Sequence, residues 1–197
     1  MKLTEKILAV LAIVAILLKC FFIPGGGPLF VLTVTALSCL YFACGFALFN
    51  GIRLRNMFKP SSYSGISTMK IIGGVLMGIT LSTVCIGLVF KIQMWPGANP
   101  MLIVSIPPTI IILIIVFIKY ILTKSKFYLH ALIRCTIFSI LAIALAFVNE
   151  LTLVKMKFRD HPNYIKAFEE YQQNPSSEEL YQKLQDERMK TFMHTNE

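Results

Sequence analysis

Five long apolar stretches, at residues 7–23, 29–49, 71–89, 101–121 and 127–148, dominate this chain. Crossing ~30 Å of hydrocarbon takes about 20 mostly apolar residues in helical form. A backbone in lipid must also satisfy its own polar groups, which leaves helix as the way for single stretches like these to cross. The expected fold class is an all-α membrane protein with about five transmembrane helices. Charged residues are scarce, 15% of the 197 against about 25% in an ordinary soluble domain, and they are unevenly placed. One acidic residue of ten, Glu5, precedes Asn149, whereas twelve of the nineteen basic residues do. Residues 1–149 therefore read as a transmembrane domain and residues 150–197 as a polar, amphipathic helical tail.

The sequence pI near 9.4 would point a soluble protein toward nucleic acid. Here the basic residues flank apolar stretches, the way membrane proteins use them, so the expected surroundings are a lipid bilayer and nucleic acid is set aside. The five cysteines, Cys20, Cys39, Cys44, Cys85 and Cys135, all sit in apolar stretches and none forms a CxxC pair. Neither a disulfide framework nor a zinc site is indicated, and no cofactor is expected. Lys2 and Lys6 followed by apolar residues 7–18 imitate a signal peptide. No small-x-small cleavage site follows, and Lys19 stands before Cys20 where a lipoprotein signal needs a small residue, so the segment reads as a retained anchor.

Orientation follows from lysine and arginine in short loops. The second connection holds Arg53, Arg55, Lys59 and Lys70, and the fourth holds Lys119, Lys124 and Lys126; residues 24–28 and 93–100 hold none. The amino terminus and the basic loops are expected in the cytoplasm of a bacterial inner membrane. Five spans then put the tail in the periplasm. Lys155, Lys157 and Arg159 pull the other way, and a fifth stretch that only lay on the membrane would leave the tail cytoplasmic. His130 and Arg134, spaced i, i+4 in the opening turns of that stretch, can snorkel to the headgroups. The same pair could bind lipid phosphate, although plain anchoring is the simpler reading. In the tail, Tyr164, Ile165, Phe168 and Tyr171 recur at helical spacing after Pro162. Asn174-Pro175 ends that helix, and Ser176 with Glu179 makes a capping box for a second one.

An internal repeat organises the first 121 residues, in copies 7–49 and 71–121. Residues 18–30 read LKCFFIPGGGPLF and residues 90–102 read FKIQMWPGANPML. At an offset of 72, Lys19 matches Lys91, Pro24 matches Pro96, Gly25 matches Gly97 and Pro28 matches Pro100. Each copy joins an outward helix to an inward one, making two tandem hairpins of parallel topology, unlike the inverted repeats of many transporters. Proline cannot continue a helix ladder and glycine accepts the angles of a turn. Lys19 and Lys91 stand about one turn before the proline, where an ammonium reaches water or the last carbonyls of the helix. Trp95 reads as an interfacial anchor.

The stretch IGLVFKIQMWPGANPMLIV resembles the amino-terminal membrane hairpin of the gliding-motility protein GldL, whose hallmark is an FK–(apolar/His)–WPGA–ML turn between two helices. The resemblance covers roughly residues 71–122 and, more weakly, 7–49. It implies hairpins that assemble around a membrane partner, GldM in that family, in a proton-driven inner-membrane motor serving gliding and type IX secretion. The chain departs from the pattern in three ways. The glutamate that the family carries in its second helix is matched by Thr109, and in the first copy by Leu37. The histidine before the tryptophan is Met94. The family's single hairpin and long cytoplasmic region are replaced by two hairpins and a short tail. A proton-coupled motor needs an ionisable group within the bilayer, and between residues 7 and 127 the charges near membrane stretches, Lys19, Lys70, Lys91 and Lys119, all stand at ends. A related, non-enzymatic scaffold that binds a membrane-protein partner or its own copies is the expectation.

Two further features bear on function. Pro107-Pro108 falls inside the fourth stretch, where paired prolines kink a helix. Broken helices can mark transport sites, so a small channel or carrier is the alternative; equally, Ser105 and Thr109 could re-satisfy the backbone. Gly74, Gly78 and Ser82 step by four along the third stretch, a face suited to close helix packing, within the chain or between chains. No HExxH, GxSxG or P-loop sequence occurs and no paired intramembrane carboxylates, which leaves hydrolase, NTPase and pump chemistry without residues to carry them.

Overall fold

A computed structural model describes residues 1–21, 23–95 and 98–194, with the backbone alone at Lys2, Cys20 and residues 192–194. Among the described residues the structure is all α-helical, with no strand: α1 Lys2–Cys20, α2 Gly26–Phe49, α3 Thr68–Gln93, α4 Ala98–Thr123, α5 Lys126–Phe147, α6 Glu150–Lys157, α7 Pro162–Gln173 and α8 Glu178–His194. The loop between α2 and α3 carries two short 3₁₀ turns, Leu54–Asn56 and Pro60–Tyr63. By their internal contacts the residues fall into two units, 1–146 and 147–197.

Four helices, α2 to α5, are long and apolar enough to cross a membrane; the protein is an all-α membrane protein. The expected first span, 7–23, differs. Helix α1 ends at Cys20 and includes Lys2, Glu5, Lys6 and Lys19, so its uncharged run, residues 7–18, is only ~18 Å long. Phe21, the C-cap, and Ile23 lie outside the helix. The whole of α1 is nonetheless ~28 Å long, and partners inside the bundle hold both Glu5 and Lys19.

In the first unit α2 packs on α1 and α3, and α3 packs on α4. The α2–α3 seam is made by small residues. A Cβ added at Gly78 would stand 2.4 Å from the Tyr41 carbonyl oxygen, and one at Gly45 would stand 2.7 Å from the Gly78 Cα. Gly74 lies against the Phe46 Cα, and the Ser38 and Ser82 hydroxyls are 2.8 Å apart. The Gly74, Gly78 and Ser82 face is thus occupied within the chain by α2, so backbone approach replaces side-chain interdigitation. Gly87 admits Leu102 of α4 in the same way.

The two corners repeat one another in backbone bonding. Ile23 N–H donates to the Leu18 carbonyl at 2.9 Å and Trp95 N–H to the Phe90 carbonyl at 3.0 Å. Gly26 N–H donates to Ile23, and Ala98 N–H to Trp95. All four donors and acceptors pair at the offset of 72. The first bond of each set is the six-to-one closure that ends a helix by a reversal. Gly25 stands at φ 91° before α2, and Met94 takes the left-handed conformation, φ 56°, after α3. Pro28 and Pro100 each occupy the third position of the following helix, where no backbone N–H is needed. Pro96 and Gly97 lie outside the described residues.

In the second unit Asn149 caps α6, its side-chain oxygen accepting from Leu151 N–H at 2.9 Å. Phe158 and Tyr164 meet with their rings tilted by 59° and centroids 4.5 Å apart, and Lys183 of α8 meets Glu170 of α7 at 2.6 Å. Helix α8 is capped by Ser177, whose hydroxyl accepts from Leu180 N–H at 3.4 Å. The capping box expected at Ser176 and Glu179 is off by one residue, because Glu179 falls in the first turn and not at its third position.

Candidate functional site

Charges inside the apolar first unit are the natural place to look for function, since each must be held or neutralised there. The structure gathers them at its two ends. Toward the basic loops, Glu5 is 7% exposed. Arg134 of α5 grips it along one edge of the guanidinium, Nε to Oε1 at 2.6 Å and Nη2 to Oε2 at 2.7 Å. The Tyr41 hydroxyl of α2 donates to the same Oε1 at 2.9 Å. Arg134 also lies over the Phe49 ring, 5.4 Å from its centroid, and Tyr41 meets the edge of Phe138 at 5.7 Å. One carboxylate thus ties α1 to its neighbour α2 and to the distant α5. The fork geometry of arginine suits such bidentate pairing, which lysine could not copy.

This adds a partner to the sequence reading, in which Arg134 is an anchor in the opening turns of the fifth stretch. Arg134 does not simply snorkel; it answers the one acidic residue of the first 149. His130, which shares its face, bonds through Nδ1 to the Lys126 carbonyl at 2.6 Å. Sequence reasoning missed Glu5 and Tyr41. A signal was available for Glu5, because a lone acid beside an apolar run must find a cation or lose its charge.

Two cavities open beside this cluster. One of ~490 Å³ runs between α1 and α5 over α2, walled by apolar side chains except at its mouth, where Glu5, Lys6, His130 and Arg134 stand. The other, of ~330 Å³, is lined by Phe49, Asn50, Gly51, Gly65, Ile66, Lys70, Lys126, Phe127, His130 and Arg134. Asn50 closes its floor by donating to the Phe46 and Lys70 carbonyls.

At the opposite end the repeat lysines sit in different surroundings. Lys91 is 1% exposed, and its ammonium donates to the Asn99 side-chain oxygen within its own corner. Lys19 reaches across to the other copy, donating to the Ile92 carbonyl and, at 2.9 Å, to the Gln93 Oε1. The Gln93 amide completes the tie by donating to the Gly27 carbonyl at 2.8 Å. Lys19, Gln93 and Gly27 thus lock one corner to the other, which no single motif could have shown. Pro24 is exposed, and Trp95 is 37% exposed with its ring edge-on to Phe90 at 5.2 Å.

The remaining sequence candidates are placed as follows. Helix α4 continues through Pro107 and Pro108, whose side chains face outward. Ser105 and Thr109 are buried, their hydroxyls bonded to the Leu102 and Ser105 carbonyls at 2.6 Å each. No residue of α4 lines either cavity. Cys39, Cys44, Cys85 and Cys135 are free thiols. Among the described residues no three His, Cys, Asp or Glu side chains gather as metal ligands do. Compared with known protein families, with curated proteins and with solved structures, the chain matches none.

Proposed function

We propose that the chain is a non-enzymatic, GldL-like membrane module that assembles with other membrane subunits. What carries the reading is the pair of Lys–Pro–Gly corners, alike in backbone bonding and joined by the Lys19–Gln93–Gly27 tie. Such a tie makes two hairpins one block, the property a scaffold needs and a solute carrier, which must move its halves, does not. The small-residue seam of α3 is spent on α2, so the surface offered to a partner is the outer side of α4 and α5. Their spanning windows are only 28% and 22% buried within the chain, against 44% and 56% for α2 and α3. A role in gliding or type IX secretion is what the resemblance of the second corner adds. The carrier reading near Pro107-Pro108 is the weaker one, because neither cavity beside Glu5 is lined by a residue of α4.

Photo-crosslinking residues at Ile111, Ile115 and Ile118, all exposed on α4, test the proposal in native membranes. The expected result is a protein adduct of defined mass; lipid adducts alone, with a monomeric mass after mild extraction, would overturn it. The proposed placement in a bacterial inner membrane has the basic loops cytoplasmic, and the tail periplasmic. In a cysteine-free background an external impermeant thiol reagent is expected to label Phe21→Cys and to spare Phe58→Cys, both exposed positions.

A further inference from the structure

The two cavities beside Glu5 share a boundary. Arg134 and His130 stand in the walls of both, yet the spaces are chemically opposite. The larger runs along Ala9, Ile13 and Ile16 of α1 and Ile137, Leu141 and Leu145 of α5. From Glu5 to Ile16 that is ~16 Å of helix. The smaller has Lys70 and Lys126 in its wall and no carboxylate. Among the described residues neither lysine has an acidic partner; Lys70 only lies 6.0 Å from the centroid of the Phe127 ring. Glu5 does not compensate them, because both of its oxygens are taken by Arg134 and Tyr41. An apolar channel of this size lies within the range of small-molecule sites. A ligand that satisfies both spaces needs a long apolar chain joined to an anionic head, and basic pockets between membrane helices take such heads.

We propose that this is a binding site for one anionic phospholipid: an acyl chain lies between α1 and α5, and its phosphate sits between Lys70 and Lys126. The Glu5–Arg134 pair forms the threshold between the two spaces. It holds α1 against α5 at the mouth and takes no part in charge recognition. The recognition is electrostatic at the head and shape-driven at the tail, so the two halves can be disabled separately.

The experiment uses the full chain in phosphatidylcholine nanodiscs doped with phosphatidylglycerol, with native mass spectrometry counting retained lipid. Wild type is expected to retain one phosphatidylglycerol and to discriminate against phosphatidylcholine. Lys70→Ala with Lys126→Ala should weaken retention roughly 30-fold, the joint effect of removing two interfacial cations. Ala9→Phe fills the apolar channel from a position remote from both lysines, and should abolish retention with the cations intact. Added glycerol phosphate, which has the head without the chain, should not compete. Equal retention of both lipids, full competition by glycerol phosphate, or retention unchanged in Ala9→Phe would each overturn the proposal; the second result would mark a free-anion site instead. Helix content by circular dichroism, matched to wild type, separates lost binding from lost folding. Where the double lysine variant fails that check, Ala9→Phe and the competition decide the question.

Discussion

The two ends of the membrane unit solve the same problem with opposite chemistry. At the loop end a carboxylate is held by a guanidinium and a phenol, charge against charge. At the corner end two ammonium groups are held by neutral oxygens, from the Ile92 backbone and the Gln93 and Asn99 amides. No acidic residue lies between Lys6 and Asn149, so the side chains of the corners themselves supply no carboxylate. The difference teaches how each end fails. A buried ion pair is most costly when half of it is removed, because the survivor is left uncompensated. A cation among dipoles leaves behind only unmet amides and carbonyls, each a smaller loss.

The largest effect is therefore expected at the loop end. Arg134→Leu takes the guanidinium from the buried Glu5 carboxylate and leaves it the Tyr41 hydroxyl, and should cost about 3–5 kcal/mol in unfolding free energy. The matched double variant, Glu5→Leu with Arg134→Leu, should recover most of that, since apolar replacement of a whole buried pair is often neutral or better. Reversible unfolding of both variants in mixed micelles is the measurement. A double variant no more stable than Arg134→Leu alone would mean that the pair is worth more than its own desolvation.

Next comes Lys91→Met, expected to cost about 2 kcal/mol, the value of a hydrogen bond with one charged partner. Trp95 is the only tryptophan and stands four residues on, so its emission should shift with the variant and report a loosened second corner. An unchanged spectrum with lost stability would place the damage elsewhere. Tyr41→Phe should be milder, about 1.5 kcal/mol, because Arg134 still occupies both Glu5 oxygens. A loss as large as that of Arg134→Leu would show that the phenol, not the guanidinium, governs the loop end.

These pairs also mark what could be read from residues alone. Runs of apolar side chains announce membrane helices without any need for periodicity, so the expected spans 29–49, 71–89, 101–121 and 127–148 fall on α2 to α5. The corners were legible because proline and glycine act locally, and the offset of 72 between them needs only the eye. Helix α1 was harder: its apolar run looked like the others, and what sets it apart is a carboxylate whose partner lies 129 residues away. Gln93 and Asn99 carried no signal, since an amide beside a turn is ordinary until a lysine is seen to reach it. Helix α6 escaped for a simpler reason, a single buried side chain, Val154, in eight residues. The basic pocket was half visible: His130 and Arg134 are one helix turn apart, but Lys70 joins them only because the fold brings the first turn of α3 to the first turn of α5.

The smallest effect, and the sharpest test of the two corners against each other, is Lys19→Met. Its lysine is half-buried where Lys91 is fully so, and the loss should be about 1 kcal/mol. The tie predicts more than a magnitude. Gln93 receives from Lys19 and gives to Gly27, so Lys19→Met and Gln93→Leu remove links of one chain and should be non-additive by about 0.5–1 kcal/mol in a double-mutant cycle. Lys91→Met with Gln93→Leu breaks separate bonds and should come closer to additive. If both cycles return the same coupling, the lock between the copies is not carried by Lys19, and the hairpins are held together by the glycine seam of α2 and α3 alone.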